Sequence, residues 1–302
     1  MNHFPFKSQQ HKEEYLNYYR SQLIHWSKPY KELQIKTDFG ITNVRINGDK
    51  NAPPLILFHG AGTCSLQWLL NIETLSKHFR AYAIDGLIHL GCLGKSILEN
   101  PIKNEHDAAK WIDELLKALD ISAPFHILGS SHGGWLASHY AKQRQESIDK
   151  MILIAPVGSI LPLDNRYQFR SMLMHILPFK FVRNRYFKWV FKNVFNQNPE
   201  LFSSVIQDFD ISSRSFIPIN PKALPKAEPL NNQEIKTLDI PTKIILAEND
   251  VIYSSIEAES RIKTLNEQIE VQTIDGAGHD LLLTHSDCIN QLVVDFLLDR
   301  QR

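Results

Sequence analysis

The stretch Phe125-His126-Ile127-Leu128-Gly129-Ser130-Ser131-His132-Gly133-Gly134 limits the possible folds more than any other part of this chain. A short apolar run, suited to a buried strand, meets Gly129-x-Ser131-x-Gly133, and a helical pattern follows to about residue 143. A strand that passes directly into a helix forces a sharp turn and holds the central serine in a strained conformation. Bulky side chains two positions to either side would collide, which accounts for glycine at 129 and 133. The glycine frame centres on Ser131 and not on its neighbour Ser130, and it projects the Ser131 hydroxyl from the carboxyl end of the sheet.

The remaining pattern supplies such a sheet. Residues 12–26 have helical spacing (Tyr15, Leu16, Tyr19, Leu23) and predict an amphipathic lead-in. Alternating segments at 32–36 and 42–46, separated by Asp38-Phe39-Gly40, predict an antiparallel pair. The continuous apolar run 54–58, ending in His59-Gly60, reads as a strand covered on both faces. Helical patterns at 65–79, 105–119 and 133–143 then precede strands at 81–85, 125–129 and 151–155. This alternation predicts an α/β fold with a mostly parallel, doubly wound sheet. Between 157 and 234 the rhythm stops in favour of aromatic, basic and proline-rich sequence without a clear strand. It resumes with strands at 243–247 and 270–274 and helices at 256–264 and 288–298. The expected organisation is a core of residues 1–156 and 235–302, interrupted by a mainly helical cap at 157–234.

A serine at a strand-to-helix turn needs a base and an acid, and on such a sheet they follow in the order serine, acid, histidine. After the strand at 243–247 comes Glu248-Asn249-Asp250, and after that at 270–274 comes Asp275-Gly276-Ala277-Gly278-His279-Asp280. Both loops lie on the sheet edge that carries Ser131, where parallel α/β sheets gather ligands. A neutral imidazole, with an ordinary pKa of about 6.5, removes the serine proton during attack. A buried carboxylate fixes its tautomer and stabilises the imidazolium. His279 is the expected base. Asp250, further into its loop than the alternative Glu248, is the expected acid. Asp275 and Asp280 are too close to His279 in sequence for that place.

His59-Gly60-Ala61-Gly62 follows a buried strand, and its small residues let backbone N–H groups approach a developing alkoxide. The N–H groups of Ala61 and of His132, the residue after the serine, are the expected oxyanion-hole donors.

With these pieces in place the chain resembles the α/β-hydrolase fold family, and bacterial esterase-like serine hydrolases within it, from about His59 to the C-terminus outside the cap. The residues carrying the resemblance are His59-Gly60-Ala61-Gly62, Gly129-Ser130-Ser131-His132-Gly133, Asp250 and Gly278-His279. Two positions depart from many relatives. Asp85-Gly86-Leu87-Ile88-His89-Leu90-Gly91 stands where they carry a Pro-Gly loop, and Tyr253-Ser254-Ser255 where a proline follows the acid. The resemblance implies a triad Ser131–Asp250–His279, an Ala61/His132 oxyanion hole and hydrolysis of a small or medium uncharged carboxylic ester through an acyl-enzyme. It implies no cofactor and no metal. A slow-turnover ligand receptor and other serine chemistries (carbon–carbon hydrolase, peroxidase, acyltransferase) are the alternatives on this fold. A serine nucleophile argues against the carboxylate-based epoxide hydrolases and dehalogenases.

Composition narrows the partners. The 33 basic and 33 acidic residues cancel, so no global field draws nucleic acid. Three cysteines, Cys64, Cys92 and Cys288, make no disulfide framework. The first residues lack a signal-peptide core, and no apolar run reaches the ~18–20 residues of a membrane span. The expectation is a cytoplasmic protein, without stable membrane insertion, that acts on a small-molecule ester. Gly94-Lys95-Ser96 resembles the end of a phosphate loop, but the leading glycine position holds His89. The segment 179–195, rich in Phe, Tyr, Trp, Lys and Arg, has an interfacial membrane helix and a nucleic-acid contact as alternatives, but reads as a cap helix with aromatics toward a pocket and cations toward water.

Overall fold

A computed structural model describes residues 5–88, 94–177, 179–217 and 225–299. Strands β1 (Tyr30–Thr37) and β2 (Gly40–Asn47) form a hairpin in which Thr37 pairs with Gly40 across Asp38 and Phe39. They are followed by β3 (Pro54–Phe58), β4 (Arg80–Ile84), β5 (Ile97–Leu98), β6 (Phe125–Ser130), β7 (Ile148–Ile154), β8 (Thr242–Ala247) and β9 (Glu270–Ile274). The nine strands make one sheet in the order β1-β2-β4-β3-β6-β7-β8-β9, with β5 beside β2. Pairing is antiparallel around β2 and parallel from β4 through β9. β6 therefore sits inside the sheet, and all six of its residues are buried.

Alternation along the strands divides the core between the two faces. Ile56, Phe58 and Ile127 join one apolar cluster, and Leu55, Leu57 and Leu128 the other. Helices α1 (Gln9–Gln22), α2 (Ile72–Leu75), α3 (Glu105–Ala118) and α4 (His132–Ala141) belong to the first part of the chain. α3 shows how they are fixed. Asn104 caps it by accepting the Asp107 N–H at 2.9 Å, and its apolar face buries Ala108, Trp111, Ile112 and Leu115. Between β7 and β8 lie α5 (Asn165–Ile176), α6 (Lys180–Val190), α7 (Lys192–Gln197), α8 (Pro199–Ser215) and α9 (Asn232–Lys236). α10 (Ser255–Leu265), α11 (Leu281–Thr284) and α12 (Ser286–Leu298) complete the chain.

The helix expected over 65–79 is instead a 3-10 turn at Ser65–Trp68 and the single turn α2. Asn290 on α12 is the physical reason: its amide donates to the Leu70 carbonyl at 3.2 Å and accepts from Asn71 at 2.8 Å. That carbonyl is thus held by a distant side chain at the point where the helix breaks. The N-terminal helix is also more than a lead-in. Tyr15 and Tyr19 are buried, α1 packs on α8, and the Phe6 and Phe216 rings lie 4.6 Å apart, tying the start of the chain to the β7–β8 insertion.

One buried polar knot fastens the hairpin to the sheet. Arg45 on β2 is fully buried, bonded to the Tyr19 hydroxyl, to Ser65 at 2.9 Å and to Glu32 at 3.0 Å. Asp85 accepts from Tyr19, Asn43, the Ser65 N–H and the Lys95 N–H at 2.8–3.0 Å. Gly94-Lys95-Ser96 belongs to this knot: Lys95 pairs with Glu32, and the Ser96 hydroxyl donates to the Asp85 carbonyl. Its hydrogen bonds are thus spent on the core. Of the loop 85–91, which stands where many relatives carry a Pro-Gly loop, Asp85, Gly86, Leu87 and Ile88 are described; residues 89–91 and Cys92 lie outside the described residues. Among the described residues no helix is long and apolar enough to cross a membrane, and no group of three or more His, Cys, Asp or Glu is placed to hold a metal.

Candidate active site

Ser131 occupies the turn between β6 and α4 with φ 53° and ψ −119°, a backbone region that L-residues avoid. Its neighbours show why glycine is required. A Cβ on Gly129 would lie 2.2 Å from the Gly133 carbonyl oxygen, and one on Gly133 would lie 2.1 Å from that of Phe58. The strain is held by bonds from β7, since the Ser131 N–H donates to the Ile154 carbonyl at 2.9 Å.

The loops after β8 and β9 bring Asp250 and His279 to this turn. His279 Nε2 lies 3.0 Å from Ser131 Oγ, and His279 Nδ1 lies 2.8 Å from Asp250 Oδ2. A carboxylate only accepts, so Nδ1 carries the proton and Nε2 is left to accept from the serine hydroxyl. The Asp250 side chain is wholly buried, and its second oxygen accepts the Ile252 N–H at 2.8 Å. Burial pulls the His279 pKa down, but the charge and hydrogen bond of Asp250, with a further contribution from Asp280, leave it raised.

Glu248, the alternative acid, turns away from the imidazole. Its Oε2 accepts the Gly276 N–H at 2.7 Å and so braces the loop that carries His279. Tyr253-Ser254-Ser255, the departure after the acid, has a defined place: Tyr253 is buried, Ser254 caps α10, and Ser255 donates to the Glu248 carbonyl at 3.1 Å.

The Gly60 loop lies against the serine, where a Cβ on Gly60 would stand 3.1 Å from Ser131 Cβ. Among the described residues no acceptor takes the N–H of Ala61 or of His132. Both are thus available to a ligand oxygen. His59 has a positioning part: Nδ1–H donates to the Gly60 carbonyl at 2.8 Å, while Nε2 accepts the Gly86 N–H at 2.9 Å. Burial lowers its pKa and keeps it neutral in that tautomer. The His132 ring stacks on Trp135 at 5.4 Å, and burial with the neighbouring His59 and His139 lowers its pKa to about 4.

Several residues of the site carry no sequence signal of their own. Gln67 accepts the Gly60 N–H at 2.7 Å and donates to Ser130 Oγ at 3.0 Å. Asn193 on α7 donates to the Gly276 carbonyl at 2.7 Å, and Asp280 accepts the Val194 N–H at 2.7 Å, joining the histidine loop to the helices above it. Each is a polar residue in an unremarkable local pattern, and only the tertiary neighbour gives it a task.

Ser131 and His279 open onto a cavity of about 440 Å³. Leu66, Leu69 and Leu70 line it from the sheet side, and Phe191, Leu201, Val205 and Phe209 from the insertion. Phe209 packs directly on the Gly60 loop, since a Cβ on Gly62 would lie 2.6 Å from its ring. A carboxylate, Asp208, interrupts the apolar wall on the insertion side, and a second, Asp280, lines the cavity beside His279. The Tyr18 hydroxyl donates to Asp208, and burial raises its pKa to about 6 in spite of that bond. Cys64 is buried in the core beside this loop, and Cys288 is exposed; neither forms a disulfide.

A family model described as alpha/beta hydrolase fold matches residues 53–209. The chain is similar to carboxylesterase YbfK of Bacillus subtilis, 26% identical over 92% of both chains. It is also similar to uncharacterized carboxylesterase nap of the same organism, 27% identical over 93% of this chain and 91% of that one. Among solved structures, naproxen esterase from Bacillus subtilis superposes with a TM-score of 0.86 and 26% identity, covering 96% of this chain and 99% of the other.

Proposed function

The chain belongs to the α/β-hydrolase fold family, and on that premise we propose that it is a carboxylesterase whose nucleophile is Ser131. The single observation that carries this reading is the continuous line from Asp250 through His279 to Ser131, at 2.8 and 3.0 Å. The similarity to two carboxylesterases along most of the chain supports the same class of reaction.

In this reading the ester carbonyl lies with its oxygen toward the N–H groups of Ala61 and His132. Ser131 Oγ attacks the acyl carbon as His279 Nε2 takes its proton, and Asp250 stabilises the imidazolium. The oxygen becomes an alkoxide held by the two N–H groups, each worth about 100- to 1,000-fold in rate. His279 returns the proton to the departing alcohol and leaves an acyl-serine. A water molecule, deprotonated by His279, attacks that acyl carbon; the acid product leaves and the Ser131 hydroxyl is restored. No step calls on a cofactor. A cavity of about 440 Å³ with largely aliphatic and aromatic walls suits uncharged esters of small or medium size.

The cap formed by α5–α8 supplies one wall of the cavity and so sets which ester fits. We assign residues 157–234 to it, with the core formed by the chain on either side.

The test is steady-state hydrolysis of p-nitrophenyl acyl esters, from acetate to long chains, by the wild type and Ser131→Ala. The expected outcome is a medium-chain optimum and loss of roughly 10⁴- to 10⁶-fold in kcat for the variant. Equal turnover by both proteins removes Ser131 from the mechanism. A wild type that acylates once and stalls points to the ligand-receptor alternative.

A further inference from the structure

The outer surface of α5 and α6 is unlike the rest of this molecule. From residue 165 to 192 the chain carries seven Lys and Arg and no Asp or Glu, within a sequence whose formal charge is zero. Arg166, Arg170, Lys180, Arg185, Lys188 and Lys192 are exposed. Among the described residues only Arg183 of this set meets a carboxylate, Asp210 at 2.6 Å. The same stretch displays apolar side chains to water: Phe169 is 57% exposed, Met172 48%, Ile176 64%, Phe179 54% and Phe181 71%. These are five of the ten large apolar side chains exposed among the described residues, gathered into thirteen positions. Phe169, Met172 and Ile176 recur at helical spacing along one face of α5, and the Phe179 and Phe181 rings stack 5.7 Å apart at the start of α6.

We propose that the α5–α6 hairpin docks this protein reversibly on the surface of an anionic phospholipid bilayer. Exposed Phe, Ile and Met enter the boundary between headgroups and acyl chains, while the flanking Lys and Arg meet lipid phosphates. Nucleic acid would satisfy the cations but leave Met172 and Ile176 without a partner. Docking differs from spanning, because no helix here need cross the membrane. α6 is buried on its opposite side through Tyr186, Phe187 and Val190, and the Phe187 ring packs against that of the cavity-lining Phe209, their centroids 4.3 Å apart. The helix that meets the lipid thus also packs against the wall of the cavity, placing the cavity beside esters dissolved in the bilayer.

The experiment is co-flotation of the full chain with vesicles of phosphatidylcholine alone or mixed equally with phosphatidylglycerol, at ~0.05 and ~0.5 M salt. The wild type is expected to float with the mixed vesicles at low salt and with neither vesicle at high salt. Each basic residue near such a surface is worth about fivefold in partition, so R166E/K180E/R185E lowers it by a hundredfold or more. The apolar variant I176S/F179S/F181S weakens it as well. Hydrolysis of soluble p-nitrophenyl acetate by both variants establishes that they fold. Ser131→Ala floats like the wild type, which keeps docking separate from the catalytic reading. Failure of the wild type to bind the mixed vesicles overturns the proposal. So does equal binding to phosphatidylcholine alone, undiminished binding by the charge variant, or a wild type that dimerises through this face instead.

Discussion

The Gln67 amide donates to the hydroxyl of Ser130, the residue before the proposed nucleophile, at 3.0 Å, while its carbonyl accepts the Gly60 N–H at 2.7 Å. One side chain from a 3-10 turn thus spans the two loops that frame Ser131. Of the expected oxyanion donors, Ala61 is next to Gly60 and His132 stands two residues after Ser130. Their spacing depends on Gln67 as well as on the sheet.

Gln67→Leu keeps the volume and removes both bonds. The expected result is a fall in kcat of roughly 10- to 100-fold with little change in KM, because a misplaced donor costs most in the transition state. Gln67→Glu, which retains the acceptor for Gly60, should recover part of the loss. Steady-state kinetics on one soluble ester checks both, and an unaltered kcat in the leucine variant removes Gln67 from the positioning role.

The pH profile should carry the mark of Asp250. In the proposed mechanism His279 is neutral when it accepts the serine proton, so activity is expected to rise with pH through its pKa. That pKa is raised, so the limb lies above the ordinary value of about 6.5 and not at or below it. Asp250→Asn removes the raising charge; kcat/KM should fall about 10³- to 10⁴-fold, and the remaining limb should move to lower pH. The stability contribution has the opposite sense. The protonated pair stabilises the fold fully below about pH 6.5 and is lost as pH rises through the folded pKa.

Asp208 gives a second pH signature. Burial raises its carboxyl to about 6, so the folded protein holds this proton more tightly than the unfolded chain. Its penalty is absent well below pH 4, grows from about pH 4 to 6 and is constant above. Asp208→Asn keeps an acceptor for Tyr18 without the charge and should add roughly 1–3 kcal/mol at pH 7 and little at pH 4. Thermal melts of both proteins at the two pH values read this directly, and an equal gain at both would contradict it.

Removing the centre of the buried polar knot should be costly. Arg45→Met takes the neighbouring guanidinium from the buried Asp85 and leaves half-buried Glu32 with Lys95 alone, a loss of about 3–5 kcal/mol. Urea denaturation measures it. A change below about 1 kcal/mol would show that water reaches the knot.

The site was legible in the sequence where chemistry needs a particular residue type in a particular frame. Gly129-x-Ser131-x-Gly133, Asp250 and His279 each end a recognisable strand, and the order of strands puts those ends on one edge. Between Asp250 and Glu248, position within the loop favours Asp250, but only the tertiary structure fixes where each carboxylate points, Asp250 at His279 and Glu248 at the Gly276 N–H. The break in the expected 65–79 helix was hidden for a similar reason. Asn290, more than two hundred positions away, supplies the bond that replaces the helical one.

What the sequence determined by itself is therefore the local conflict at the strand–serine–helix turn and the two-faced apolar alternation that builds a sheet around it. Both are matters of steric fit and burial within a few neighbouring residues. Tertiary structure alone decided which polar side chains brace the loops, as with Gln67, Asn193, Asp280 and Glu248. It also decided how much room the insertion leaves above Ser131. Those depend on distances between segments remote in the chain, and a hydrogen bond that exists only within about 3 Å cannot be read from residue types that any surface also carries.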